Sequence, residues 1–345
     1  MNIEYESFID KANSEVSTEY AKRILDSILK EGNTNSPLNI VSNLNINSFE
    51  NFFQIKTVIY SAVLIVFSLI VINLLKEVLG NGSQFKILKM LIICIFHISV
   101  TIPLYNYLKQ FMLYIKDVST FISIFSSSAT VITALCGNAA TAGIQSIGFS
   151  VLLSIIQLLL SDIIPIVLSL FLCLSVIDIL FGQGSFANIS NTIKKAIIGV
   201  FVFSVSLFYI FISSYGQAAS SADSASLRTL RLFIGNSIPI IGNTISESVR
   251  TIASNIISIK NSIGLAAIIF IISMFLPILI IVWLCGIVLN FYIFLCDYFE
   301  IVEIKGACMH IKTSLDFVLA SFSFIAITSL INIISFIRIV PSIIY

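Results

Sequence analysis

The feature that most constrains this chain is a set of long stretches without a charged side chain. Residues Ile263 to Cys296 contain no Asp, Glu, Lys or Arg, and as one straight helix at about 1.5 Å per residue they would exceed the roughly 30 Å hydrocarbon core of a bilayer. Across all 345 residues, 57% are hydrophobic and 11% are charged, whereas soluble domains usually carry about 25% charged residues. The chain is therefore predicted to be an all-α, polytopic integral membrane protein.

About eight or nine segments are apolar and long enough to cross a bilayer, at about 20 residues each. Ile263 to Cys296 is predicted to form two short or strongly bent spans, with breaks at Pro277 and Gly286. Small residues at 137–143 interrupt another uncharged stretch and predict a tight helical hairpin. The other predicted spans are Thr57–Leu75, Met90–Leu108, Val118–Cys136, Gly143–Leu160, Ile163–Phe181, Ala196–Ser214 and Phe317–Ile337.

Charge and polarity divide the chain into regions of different character. The regions are an N-terminal arm with its linker at 1–55, membrane helices at 56–214, an amphipathic or re-entrant helical loop at 215–262, and C-terminal membrane helices at 263–345. The N-terminal arm is acidic and is predicted to be soluble and mainly helical. The loop at 215–262 is polar without having the composition of a linker.

The N-terminal arm carries an apolar stripe on a charged background. Val16, Tyr20, Ile24 and Ile28 recur every four residues, which predicts an amphipathic helix. Lysines in the loop after the first span and in the loop before Ala196 favour the cytoplasm for both loops, which places the arm outside. The arm lacks the basic n-region and apolar core of a signal peptide, so a cytoplasmic arm is the alternative.

The loop at 215–262 is predicted to contain two helices around an apolar turn. In its second half, isoleucines and a valine recur at helical spacing and indicate an amphipathic helix. The turn is too apolar to lie fully in water, so a re-entrant or interfacial element is one interpretation. A pair of surface helices packed on their neighbours is the other. The predicted turn residues are Gly235, Asn236, Pro239 and Gly242.

Charged residues on the two loop helices are candidates for docking a partner protein. Opposite charges lie within helical reach of one another, so pairing inside the loop is the alternative, and exposed pairs of this kind contribute only about 0 to 1 kcal/mol. The candidate docking residues are Asp223, Arg228, Arg231, Glu247 and Arg250.

The residues that enzymes use do not occur here in a recognisable arrangement. There is no G-x-x-x-x-G-K-[S/T] nucleotide-binding motif. The six cysteines have no paired spacing and are predicted to be packing residues. His97 has no nucleophile motif to serve, and His310 falls in a polar connection. We therefore predict no catalytic, cofactor-binding or metal-ligating residue, and no enzyme.

Asp178 is the acidic residue placed deepest in a predicted span. Acids at membrane depth are costly, which makes them functional hypotheses by default, here for ion coupling or a proton relay. Because Asp178 precedes the span end at Phe181 by three residues, reaching the interface is the simpler alternative. Asp162, Asp297 and Asp316 lie at predicted span ends, where solvation explains them.

Small residues near the predicted hairpin are candidates for close helix packing. Apolar side chains gain little against lipid, so membrane helices associate through close backbone approach. The candidates are Ala139, Ala140, Ala142, Gly143 and Gly148.

In the order of these features, the chain resembles the stage III sporulation protein AE family of endospore-forming bacteria. The resemblance is carried by the run Ala219 to Gly242, by Lys260 to Ala266 and by the small-residue hairpin at Ser126 to Gly143. It covers roughly Thr57 to Arg338. It implies a multi-pass subunit of the channel-like complex that joins mother cell and forespore, acting as an export-platform or conduit component in the mother-cell membrane around the forespore.

The partners that this resemblance implies are the other stage III sporulation A-operon proteins, including a secretion-type ATPase and ring-forming subunits. Through them the chain would reach the stage II sporulation protein Q of the forespore. The lipid bilayer is the other expected partner, nucleic acid is not expected because the net charge is only +1, and self-association is left open. Two rival functions are an independent secondary transporter, with Asp178 coupling ions near a broken helix, and a scaffold without a pore.

Overall fold

The chain forms a bundle of long helices. The computed structural model describes residues 2–31, 63, 67–68, 70–78, 80, 82–181, 186–237, 242–299 and 301–338, and within 226–257 it describes the backbone alone. These residues form helices and turns and no strand, which confirms the predicted all-α class. The helices are α1 (Asn2–Glu15), α2 (Glu19–Glu31), α3 (Ser83–Leu135), α4 (Ala139–Leu158), α5 (Ile164–Phe181), α6 (Phe186–Ser237), α7 (Gly242–Tyr298) and α8 (Val302–Arg338), with a π-helical segment, Leu159–Ile163, between α4 and α5.

Five helical stretches of the described chain are long and apolar enough to cross a membrane. The predicted spans on either side of Lys109 and Lys116 are one continuous helix, α3, and the π-helical segment joins the two predicted spans of α4 and α5. Lysine is a good helix former, so charge at these positions does not end the helix. The predicted span Thr57–Leu75 lies mostly outside the described residues. The five stretches are Leu108–Leu135, Ala139–Leu180, Phe186–Asp223, Ser258–Tyr298 and Ile304–Arg338.

Helix α7 runs without interruption through Pro277 and Gly286, so the break predicted there was wrong. Proline has no N–H group, and in a helix it leaves the carbonyl four residues earlier without its usual donor. That carbonyl belongs to Ser273, and it accepts a hydrogen bond from the Tyr20 hydroxyl at 2.9 Å. A side chain from the N-terminal arm thus satisfies the backbone group that Pro277 leaves open.

The N-terminal arm is helical, as predicted, but it packs into the bundle. α1 lies against α3 and α7, and α2 lies against α7. The predicted apolar stripe is the buried face, because Val16, Ile24 and Ile28 are almost inaccessible. In the connection between the two helices, the backbone N–H groups of Ser17 and Thr18 each donate to the buried Asp117 carboxylate of α3, at 2.8 Å.

Aromatic rings fill the space between the arm and the membrane helices. Phe121 of α3 stacks on Phe270 of α7 with ring centroids 4.1 Å apart, and Phe8 of α1 meets Phe121 edge-on at 5.9 Å. On the other side, Phe125 of α3 packs edge-on against Phe336 of α8 at 5.3 Å. The arm is therefore part of the main hydrophobic core.

The last helix, α8, occupies the centre of the bundle. It packs against α3, α4, α5, α6 and α7. In the most apolar stretch of α8 61% of the residues are buried, close to the 67% of α7 and far above the 17% of α6, which lies at the edge. The residues that α8 presents to its neighbours therefore decide which polar groups meet inside the bundle.

The predicted hairpin between α3 and α4 forms around Gly137. This residue has a φ of +80°, a backbone conformation that glycine adopts without strain. Its N–H donates to the carbonyl of Ala134, and the N–H of Asn138 donates to that of Thr133. This is the Schellman arrangement, which satisfies carbonyls that the end of α3 would leave open.

The five small residues predicted to pack helices together do not behave alike. Ala142 and Gly148 are buried, whereas Ala139, Ala140 and Gly143 are exposed. A Cβ atom added at Gly143 meets nothing within 4 Å, but one added at Gly148 lies 2.5 Å from Ile212 Cδ1 and 3.1 Å from Asn332 Oδ1. The close approach is at Gly148 because this residue faces Ile212 of α6 and Asn332 of α8, whereas Gly143 faces open space.

We expect Gly148→Leu to destabilise the bundle by about 1 to 3 kcal/mol, the usual cost of overpacking a well-packed site. Gly143→Leu is the matched control, since it brings the same gain in helix propensity into open space. Thermal unfolding of both variants in detergent separates the two effects. Equal melting temperatures would contradict close packing at Gly148.

Candidate functional site

Three polar side chains from three helices meet in the interior of the bundle. Nε2 of His310 on α8 lies 2.6 Å from Oδ2 of Asp178 on α5. Nδ1 of the same ring lies 2.7 Å from Oγ of Ser190 on α6. The exposed fractions are 0% for Asp178, 0% for Ser190 and 1% for His310. Carboxylate, imidazole and hydroxyl therefore form one buried, hydrogen-bonded line.

The connection between α5 and α6 brings two members of this line together. Asp178 lies in the last turn of α5 and Ser190 in the second turn of α6, so a short connection places both at the same end of the bundle. The backbone N–H of Phe186, the first residue of α6, donates to Asp178 Oδ1 at 3.3 Å. On α8, a Cβ added at Gly306 would lie 3.4 Å from Asp178 Oδ2, so glycine leaves the carboxylate its space one turn before His310.

A second histidine lies beside this line. Ser175 precedes Asp178 by about one turn on α5, and its Oγ is 3.4 Å from Nδ1 of His97 on α3. Both side chains are buried. One face of α5 thus presents a hydroxyl and a carboxylate to two histidines, and the polar cluster extends over four helices.

An ion pair lies next to the cluster, farther along α6 and α8. Lys194 Nζ is 2.7 Å from Asp316 Oδ2. Asp316, predicted to be solvated at a span end, is partly exposed and is paired with Lys194. Such charges inside membrane helices are usually paired with one another.

The arrangement of Asp178, His310 and Ser190 is suited to holding and moving a proton. Asp178 accepts from Nε2–H, so a neutral His310 ring accepts the Ser190 proton at Nδ1. When the ring is an imidazolium, both nitrogens donate and Ser190 becomes the acceptor. The order of groups resembles a Ser-His-Asp triad, but burial keeps the hydroxyl from a soluble substrate. The chemistry available in this conformation is therefore proton storage or relay.

Asp178 was predicted as the functional acid, and the structure places it in this cluster. Its carboxylate is buried and hydrogen-bonded inside the bundle, and its depth relative to the membrane interface stays a prediction. His310, predicted in a polar connection, lies inside α8. One feature of the sequence could have predicted that Asp178 contacts His310. An acid buried in lipid needs a partner, and the chain has only two histidines that could serve.

Asp223, a predicted docking residue, is engaged within the bundle. Its carboxylate accepts hydrogen bonds from the backbone N–H groups of Ala140 and Thr141, both at 2.9 Å, and from the Thr141 hydroxyl at 2.7 Å. These groups form the first turn of α4, where a carboxylate is stabilised by free N–H donors and by the helix dipole. Asp223 therefore caps α4, and the docking prediction does not hold for it.

The remaining predicted loop residues lie where side chains are not described. Arg228 and Arg231 belong to the helical backbone of α6, and Glu247 and Arg250 to that of α7. Their docking role stays a prediction.

The predicted turn falls between α6 and α7. Gly235 and Asn236 lie in the last turn of α6 and Gly242 begins α7, while Pro239 lies outside the described residues. Two helices thus flank the predicted turn, and its re-entrant character stays a prediction.

Comparison with known proteins shows that the sequence matches one protein family. The sequence model of the family described as stage III sporulation protein AE matches residues 20–340. Stage III sporulation protein AE of Bacillus subtilis (strain 168) is 27% identical over 108 residues, which is 31% of this chain and 27% of the relative. The aligned part is thus well under half of that protein's length. No solved structure matches the chain.

Proposed function

Because this chain belongs to the stage III sporulation protein AE family, and thereby has a role in spore formation, we propose that it is a membrane subunit of the complex that joins mother cell and forespore. The observation that carries the proposal is the extent of the family match, which runs from α2 to beyond α8 and includes all five apolar stretches. In this role the chain is an export-platform or conduit component of the mother-cell membrane around the forespore.

The surface of α6 supports a role within an assembly. It is the least buried of the apolar helices, and large hydrophobic side chains such as Val200, Phe203 and Leu207 are more than half exposed. These side chains face lipid or another subunit, because both exclude water. Further along the same helix, Arg228 and Arg231 supply positive charge for docking a partner. We propose the secretion-type ATPase, the ring-forming stage III sporulation A-operon proteins and, through them, stage II sporulation protein Q as the partners.

The test is copurification from sporulating cells in which a tagged copy replaces the gene. The wild-type chain is expected to retain the ATPase or a ring-forming subunit, and Arg228→Glu with Arg231→Glu is expected to lose it together with heat-resistant spores. Lys22→Glu with Arg23→Glu makes the same charge change on the exposed face of α2 and serves as the control. If both double variants keep their partners and form spores, the docking role fails. If the wild-type chain supports sporulation with no such partner bound, the subunit proposal fails.

The buried Asp178 and His310 pair favours a second candidate, a secondary transporter that couples a small solute to protons. An acid–imidazole pair inside a bundle can load and release a proton as the helices move. Purified chain in proteoliposomes would then acidify the lumen and move solute without any partner, and Asp178→Asn would abolish both. Proton movement that appears only when the other subunits are added would favour the conduit.

A further inference from the structure

A polar cavity lies at the opposite end of the bundle from the histidine cluster, between α4, α6 and α8. Its volume is about 560 Å³, within the range of about 300 to 1,000 Å³ that is typical of small-ligand sites. Gln145 and Asn332 lie on its inner wall, and Gln217, Ser221 and Arg338 line its more exposed side. A cavity with this lining in a lipid-embedded bundle needs contents that hydrogen-bond.

Two buried amides point to what those contents are. Gln145 is 6% exposed and Asn332 is 1% exposed, and the amide nitrogens of both have no hydrogen-bond partner within the protein. A buried donor left without a partner costs about 1 to 3 kcal/mol, and native interiors contain few such groups. Two of them lining one cavity indicate a bound molecule that accepts hydrogen bonds.

The Gln145 amide leaves an unmatched atom in either orientation. Its Oε1 lies 2.9 Å from the Thr133 hydroxyl, which also lies 2.8 Å from the carbonyl of Ala129. Rotating the amide would place Nε2 at Thr133 and turn Oε1 toward the open position. Only the orientation with Nε2 toward the cavity offers a donor there, so an oxyanion requires the amide orientation in which Oε1 lies at the Thr133 hydroxyl.

The charge of the cavity selects the type of ligand. Among the lining residues for which the structure describes side chains, Arg338 is the one cation, and none carries a carboxylate. Asp223, on the same helix as Gln217, directs its oxygens at the first turn of α4. Arginine pairs with carboxylates and phosphates through a planar set of donors. The positive charge and the two amides together favour an oxyanion.

We propose that this cavity binds a small ligand through a phosphate or carboxylate group, with its oxygens held by Asn332 and Gln145 and its charge balanced by Arg338. The same chemistry has two sources, the headgroup of an anionic lipid and a free solute. The proposal does not depend on the role of the chain in sporulation.

The test is a thermal-shift titration of the purified full-length chain in detergent. The probes are inorganic phosphate, succinate and dihexanoyl phosphatidylglycerol, with dihexanoyl phosphatidylcholine, a zwitterionic lipid without net charge, as the control. At least one anionic probe is expected to raise the melting temperature, because a ligand that binds only the folded state stabilises it. Stabilisation by phosphatidylglycerol alone identifies a lipid headgroup, and stabilisation by phosphate or succinate identifies a free solute.

Variants assign that shift to the cavity. Asn332→Leu and Arg338→Gln are each expected to weaken the apparent Kd about tenfold or more, the size of a lost hydrogen bond to a charged group. Lys195→Gln removes an exposed cation at the other end of α6 and should change the Kd less than about twofold. Without ligand, Asn332→Leu should melt at or above the wild-type temperature, since an apolar group replaces an unpaired donor. The proposal is overturned if no anionic probe shifts the wild type, if phosphatidylcholine acts equally, or if both cavity variants respond as the wild type does.

Discussion

Asp178→Ala is expected to lower the free energy of unfolding by about 3 to 5 kcal/mol, the usual cost of removing one partner from a buried ionisable pair. The substitution leaves His310 Nε2 and the Phe186 N–H without their acceptor, at a position with no access to water. Unfolding of the purified chain by denaturant in mixed micelles measures the change.

A second variant shows whether the loss comes from the unpaired partner. Changing both Asp178 and His310 to Leu removes the whole pair, and apolar replacements of buried pairs are often neutral or stabilising, so most of the lost stability should return. Asp162→Ala, at an exposed carboxylate in the π-helical segment, is the control and should stay within about 0.5 kcal/mol of wild type. If Asp178→Ala is as harmless as this control, the buried pair does not hold α5 to α8.

Asp117→Ala is expected to release the N-terminal arm from the bundle. The buried carboxylate accepts the N–H groups of Ser17 and Thr18, and leaving both without an acceptor costs about 1 to 3 kcal/mol. Local opening of α1 and α2 would expose Lys11, Lys22 and Arg23 to trypsin, so we expect cleavage there to become about tenfold faster or more.

Tyr20→Phe tests the same docking from the side of α7. Burial raises the pKa of the Tyr20 phenol, so the hydroxyl keeps its proton and remains the donor to Ser273 across the physiological pH range. The variant should raise the rate of tryptic cleavage several-fold. Glu19→Ala, which breaks only the exposed pair with Arg23, should leave it unchanged. An arm that is cut equally fast in all variants would mean that these two contacts do not hold it.

The membrane class could be predicted from composition, but the ends of the helices could not. Hydropathy locates apolar residues, whereas a helix ends only where the backbone is interrupted. Lys109 and Lys116 interrupt the apolar pattern of α3 without ending it. Pro277 should have ended α7, and the helix continues because a tyrosine 257 residues earlier in the sequence reaches the open carbonyl. Such a contact depends on tertiary packing, which a local pattern does not contain.

The candidate site could be predicted only in part, because a local sequence pattern does not contain tertiary contacts. Asp178 stands out as an acid in an apolar run, which is a local property. His310 lies 132 residues later in the sequence, and the two meet because α8 occupies the centre of the bundle. Helical periodicity shows that a residue lies on one face, but the packing of several long helices decides which faces meet. Asp223 shows the converse, since its loop position suggested a free charge and packing made it a helix cap.

The central position of the last helix has a consequence for how the protein is made. Lys194 is synthesised 122 residues before its partner Asp316, which at about 5 to 20 residues per second is a delay of about 6 to 25 s. During that interval α5 and α6 enter the membrane with Asp178 and Lys194 uncompensated, which lipid disfavours. We therefore expect these helices to stay in contact with the insertion machinery until α8 emerges.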